Sequence, residues 1–170
     1  MSKLKGIATV DIPVATETWI ATALLHREHP DRDDFTIQEI IARVQAENLT
    51  GSLRPGVGVH ASTHCVANRE PRPARHRMLY ATGKRTRRLF REGDEADLQR
   101  TGRITPEPES IPARYRYLLD WYSNEYSKLA NQPPQGAWLR GVMELAGAGR
   151  EIFAGIDPDG YVHKLRKGWQ

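Results

Sequence analysis

The sequence predicts a mainly α fold with one small β-hairpin, followed by a helical C-terminal region. Three observations carry that expectation. Apolar residues recur at helical spacing in three successive stretches before residue 70. Met78-Leu79-Tyr80-Ala81 and Arg87 to Arg91 read as two short strands around a glycine-containing turn. After a proline-rich break, large aromatic residues return at spacings of three and four. At 170 residues, 27% of them charged and 39% hydrophobic, the chain has room for one domain and a smaller appendage, on a scale of about 100–200 residues per domain. It contains no apolar run of about 18 residues, so no transmembrane helix is expected. Met1 to Val10 lacks the apolar block of a signal peptide, and a cytoplasmic location is expected. The single cysteine, Cys65, excludes an intrachain disulfide and suits a reducing compartment.

Residues 1–15 read as a loose leader without a clear period. From Thr16, the positions of Trp19, Ile20, Ala23 and Leu24 place one apolar face on a first helix that ends near His29-Pro30. The second helix has the strongest start signal. Thr36 can cap it while Glu39 bonds back to the cap nitrogen, and Phe35 and Ile40 occupy the two positions of a hydrophobic staple. Ile37, Ile40, Ile41 and Val44 line its inner face. It should stop between Asn48 and Gly51, where Gly51 can take a positive φ. Pro55 prevents continuation into the third helix, Val57 to Asn68. There Val59, Cys65 and Val66 are expected inward, and His60, Thr63, His64 and Asn68 outward.

Beyond Asn68, Pro71 and Pro73 end the helix and the hairpin follows, its turn at Thr82 to Arg85. Residues 69–91 hold nine cations (Arg69, Arg72, Arg75, Arg77, Lys84, Arg85, Arg87, Arg88, Arg91) against one acid, Glu70, a local charge of 9 − 1 = +8 in a chain whose total is +4. Such a patch beside a helix is the electrostatic footprint expected of a phosphate-binding surface. Three helices followed by a basic hairpin resemble a winged helix-turn-helix domain, over residues 16–94. The resemblance implies that the third helix enters the major groove of double-stranded DNA. It makes His60, Thr63, His64 and Asn68 candidate base readers, and Arg69, Arg85, Arg87 and Arg88 phosphate or minor-groove contacts.

Residues 95–111, rich in Gly, Asp, Glu and Pro, read as a linker to a helical region over 112–170. A helix should begin near Pro112 and present Tyr115, Leu118, Leu119, Tyr122, Tyr126 and Leu129. So many rings need cover, either from the first domain or from a second copy in a homodimer. Trp138, Leu139, Val142, Met143 and Leu145 mark a further helix, and Asp157-Pro158 the start of a last one. The stretch from Trp138, with its Gly-rich turn, Ile152-Phe153 step, Asp-Pro start and closing Arg166 to Trp169, resembles the C-terminal tails of bacterial toxin-antitoxin antitoxins. That resemblance implies a toxin partner held by Ile152, Phe153, Tyr161, Leu165 and Trp169. The same residues could instead cover the domain.

No metal or cofactor is expected. His60, His64 and Cys65 fall short of a zinc set, which takes three or four ligands and here lacks a second cysteine pair. Catalysis is not expected either: Cys65 and His64 are adjacent on a helix and diverge, and no nucleophile elbow or phosphate-cradling glycine loop occurs. The two resemblances imply two functions, a DNA-binding small prokaryotic transcriptional regulator and an antitoxin-like interaction protein.

Overall fold

Helix α1, Val14–Glu28, is the element around which the others pack. In the computed structural model, which describes residues 11–131, the chain is mainly helical with a small three-stranded antiparallel sheet. Trp19, Ile20, Ala23 and Leu24 are in the core as their spacing predicts. The expectation of one apolar face, however, is too narrow: every residue from Ala15 to His26 is buried. The polar ones are enclosed because each finds a partner, without which burial would cost free energy. Thr18 and Thr22 donate their hydroxyls to the carbonyls four residues back, both at 2.8 Å. Glu17 accepts from Arg54 at 2.5 and 2.9 Å and from Thr50 at 2.9 Å. The leader expected over 1–15 also ends too late, since Ile12 and Ala15 are buried.

Strand β1, Phe35–Thr36, leads directly into α2, Ile37–Glu47. The predicted capping box forms: the Glu39 N–H donates to Thr36 Oγ1 at 3.2 Å, and the Thr36 N–H to Glu39 Oε2 at 2.8 Å. Phe35 and Ile40, the staple pair, are fully buried in one cluster. The Arg32 guanidinium forks onto the same carboxylate and, with the Thr36 N–H, pulls the Glu39 carboxyl down to about 2. Asn48 ends the helix in the left-handed region (φ 47°), and Gly51 takes φ 84° as its residue type allows.

The third helix, α3, begins as Gly56–Val59 and continues as a wider π turn, His60–His64, closed by the Cys65 N–H on the His60 carbonyl at 3.1 Å. It stops well short of the predicted Asn68. From Cys65 the chain straightens beside strand β2, Leu79–Ala81: the Leu79 N–H donates to the Cys65 carbonyl at 2.9 Å and the Ala67 N–H to the Leu79 carbonyl at 2.7 Å. Strand β3, Thr86–Leu89, completes the expected hairpin and pairs on its other side with β1, in the order β1-β3-β2. A two-residue β1 has too little alternation to be read from sequence.

The linker expected over 95–111 is instead a strap laid against the domain. The Asp97 N–H donates to the Ala67 carbonyl, the Gly102 N–H to the Arg75 carbonyl and the Arg77 N–H to the Arg103 carbonyl, at 2.8–2.9 Å. Gly102 lies so close that a Cβ there would sit 2.3 Å from the Arg75 oxygen. Short 3-10 turns at Pro108–Ser110 and Ala113–Tyr115 lead into α4, Tyr117–Trp121, which continues as a π turn, Tyr122–Tyr126, and a 3-10 turn, Ser127–Asn131. The region is helical as predicted, but not one regular helix. Its rings are covered from within the chain: Ile111, Tyr115, Leu118, Tyr122 and Tyr126 share one core with Trp19, and Trp19 meets the Tyr122 ring edge-on at 5.7 Å. Cover for those rings thus comes from the first domain, while Leu129, expected on the same face, stays 42% exposed. The boundary between compact units accordingly falls after Asn131, and the helices predicted beyond it lie outside the described residues.

His26 ties α1 to β3 and the π turn after α4. Its Nε2 accepts the Leu89 N–H at 3.3 Å and lies 3.2 Å from the Tyr126 hydroxyl. Burial first, then the Arg91 and Arg88 charges, hold its pKa down at about 3.

Candidate nucleic-acid interface

A helix leaves its last four carbonyls without intrahelical donors. In α3 these belong to Ala61, Ser62, Thr63 and His64, and two arginines from outside the helix serve all four. Arg87, on β3, donates Nε to Ala61 at 3.0 Å and Nη2 to Ser62 at 3.2 Å. Arg100, on the strap, donates Nη2 to Thr63 and Nη1 to His64, both at 2.7 Å. Arg87 also binds the Gly83 and Thr86 carbonyls, and Arg100 those of Arg69, Glu70, Ala74 and His76. Both positive groups sit at the negative end of the helix dipole. The double cap fixes the end of α3 to both the hairpin and the strap.

This arrangement changes the assignment of several predicted site residues. Arg87 is fully buried, with its fork aimed into the protein, so its donors are not presented at the surface as a phosphate contact would require. Arg88 forms two 2.6 Å bonds to Asp94 and lies over the Tyr80 ring at 4.5 Å. It is held by the chain's own carboxylate rather than presented to a ligand. Asn68 is off the helix, its amide paired both ways with the Ala81 backbone at 2.9 Å, so its base-reading atoms are engaged. His60 turns inward, with Nδ1 3.3 Å from Cys65 Sγ; burial first, then the neighbouring His64, lowers its pKa to about 4. His64 packs edge-on against His60 at 5.0 Å. Thr63 stays on the accessible side. Val59, expected inward, is 44% exposed, while Val57 is fully buried in its place.

Of the nine cations, four are exposed and Arg69 is half-buried. Lys84 and Arg85 stand exposed at the hairpin tip, and Arg69 reaches them, donating Nη2 to the Lys84 carbonyl at 3.4 Å. None of these three has a carboxylate partner among the described residues. Arg75 is exposed nearby, and Arg72 makes one exposed contact of 3.7 Å with Glu70. Arg77 and Arg91 are anchored, on the Gly102 carbonyl and Asp33 respectively. Gly83 O, bound by Arg87, places the tip directly beside the end of α3. The surface thus consists of a helix face flanked by unpaired cations.

Arg100, which the sequence reading missed, has no local pattern to reveal it, since its partners lie 24–37 residues away. Arg87 did have a signal: in a strand it shares the face of Leu89, which is core. The Cys65 thiol is sealed, burial pushing it up to about 12, and it offers no nucleophile at neutral pH. Among the described residues no group of three or more His, Cys, Asp or Glu could hold a metal ion, and no helix is long and apolar enough to cross a membrane. The predicted partner-binding residues Ile152, Phe153, Tyr161, Leu165 and Trp169 lie outside the described residues. Comparison of the chain with protein-family models, with curated proteins and with solved structures found no match.

Proposed function

We propose that this protein binds double-stranded DNA, with α3 lying in the major groove and the β2–β3 hairpin serving as a basic wing along the adjacent backbone. The observation that carries this reading is the group of unpaired cations, Arg69, Lys84 and Arg85, at a hairpin tip locked by Arg87 to the end of α3. Element order supports it as well: a capped α2, a short turn, α3 and a hairpin, with β1 closing the sheet against β3, is the order of a winged helix-turn-helix. In that reading Lys84 and Arg85 contact phosphates, which sets affinity and orientation without reading sequence. The role of a small transcriptional regulator follows from it.

Binding to a duplex should weaken steeply between 50 and 200 mM salt, about those limits being where counterion release is easily read. Replacing Lys84 and Arg85 together by Ala should lower the slope of log K against log salt by about 2, since each phosphate contact contributes about 0.9. Fluorescence anisotropy on a labelled duplex measures both. An unchanged slope would remove the wing from the interface, and no binding at low salt would end the proposal.

A further inference from the structure

The outer face of α3 has an unusual chemical make-up for a surface proposed to read DNA. Val59, Ser62 and Thr63, at i, i+3 and i+4, share one side of the helix. Val59 is 44% exposed at its centre. Both hydroxyls are turned back onto the helix. Ser62 Oγ donates to the Gly58 carbonyl at 2.7 Å, and Thr63 Oγ1 donates to the Val59 carbonyl at 3.1 Å. A hydroxyl whose proton is engaged can only accept. The face therefore presents a branched apolar side chain and two hydrogen-bond acceptors. It carries no Lys or Arg, and the cations lie beside it on the hairpin tip.

Each base pair shows the major groove a distinct pattern. Guanine offers two acceptors, N7 and O6, and its partner cytosine an N4 amino donor; adenine offers N7 and the N6 amino donor, and thymine a C5 methyl. Acceptors on the protein cannot bond to the guanine pair of acceptors. They can take the amino group of adenine or of cytosine, so the feature that marks an A·T pair for this face is the thymine methyl, on which Val59 can pack. Building on the DNA-binding reading above, we infer that α3 selects A·T base pairs through the major groove, with Val59 on the thymine methyl and Ser62 and Thr63 accepting from the adenine amino group. The charge beside this face supports the same occupant: Arg69, Lys84 and Arg85 would hold the flanking phosphates while the uncharged face meets the bases. Selection arises from chemical fit in the groove, and affinity from the cations.

The test uses the full-length chain and two duplexes, alternating d(A-T) and alternating d(A-U), which differ only in the C5 methyl. The minor groove is identical in donors and acceptors, so a preference arising there would not distinguish them. The wild-type chain should bind the methylated duplex about fourfold more tightly, the effect of roughly one buried methyl-sized group. Val59→Ala should abolish that difference. Replacing Lys84 and Arg85 by Ala should weaken both duplexes equally and leave the difference intact. Equal wild-type affinity for the two duplexes would overturn the inference while the DNA-binding proposal stands. A difference that survives in Val59→Ala would also overturn it. Failure to bind either duplex at low salt would overturn both readings.

Discussion

Arg87 and Arg85 are two residues apart, carry the same group and have opposite surroundings. Arg87 has a wall of carbonyl oxygens before it and no access to water; Arg85 has water before it and no carboxylate among the described residues. The same contrast separates Arg88 and Arg100 from Lys84 and Arg69. A guanidinium donates in five directions from a rigid plane, so it can terminate a helix as readily as it can hold a phosphate. Position decides between these uses: Arg85 lies in the turn before β3 begins, Arg87 in the strand on the face of Leu89, and a charge count over residues 69–91 cannot tell them apart. The basic tract is part internal fastening and part exposed surface.

The contrast is tested most severely at Arg100. Arg100→Met keeps the stem and removes the donors, orphaning the His64 and Arg69 carbonyls, while Thr63 keeps the Val66 N–H. With buried unsatisfied groups costing about 1–3 kcal/mol each, a loss of roughly 4 kcal/mol is expected in urea unfolding. A loss below about 1 kcal/mol would mean that the cap contributes little to the fold. Arg88→Ala, which leaves the nearly buried Asp94 carboxylate with only the Arg91 N–H, should cost about 2 kcal/mol by the same measurement. A neutral result would reclassify Arg88 with the solvent-facing group.

Burial of His26, and then the anchored arginines beside it, set a pH dependence as well. His26 lies beside Arg88 and Arg91, and its folded pKa, about 3, is below the ordinary 6.5. The unfolded chain thus binds the proton that the folded chain refuses. This stability is fully present above pH 6.5 and is lost as the pH falls from there toward 3, with a limiting slope of about 1.4 kcal/mol per pH unit for one proton. Unfolding followed between pH 7 and 5 should show the decline, and His26→Phe should reduce its slope by about one proton's share, His60, also held down at about 4, keeping its own. An identical slope in that variant would place the titrating group elsewhere. The smallest effect is expected at the tip. Replacing Lys84 and Arg85 by Ala should change stability by less than about 0.5 kcal/mol, and a larger loss would show that these cations are fastened too.

Legibility in the sequence followed the range of the interactions. The start of α2 was readable because Thr36, Glu39, Phe35 and Ile40 lie within six residues and two devices agree. The hairpin was readable from its turn and short β-type runs. Arg87 was misassigned because its charge was weighed before its place in the strand, two residues before buried Leu89. The strap was taken for a linker because Pro, Gly and acids are the composition of loops, and the bonds that fasten it join residues distant in sequence. The face of α3 was rotated in the reading. Once the helix ends at His64 and Val57 fills the core, Val59 is left on the outside. The double cap, being wholly tertiary, could not be read from any window.

Gly102 gives the strap an unexpected sensitivity. A single methyl added there would have to displace the peptide of Arg75 and His76 rather than a yielding side-chain tip, and Arg100, two positions upstream, would be dragged from its carbonyls. In a saturation scan of residues 95–111, water-facing positions such as Leu98 should accept almost any replacement, while alanine at 102 should score among the harmful changes. A lesion in the stretch of least ordered composition would thereby be felt at the far end of a helix it never touches.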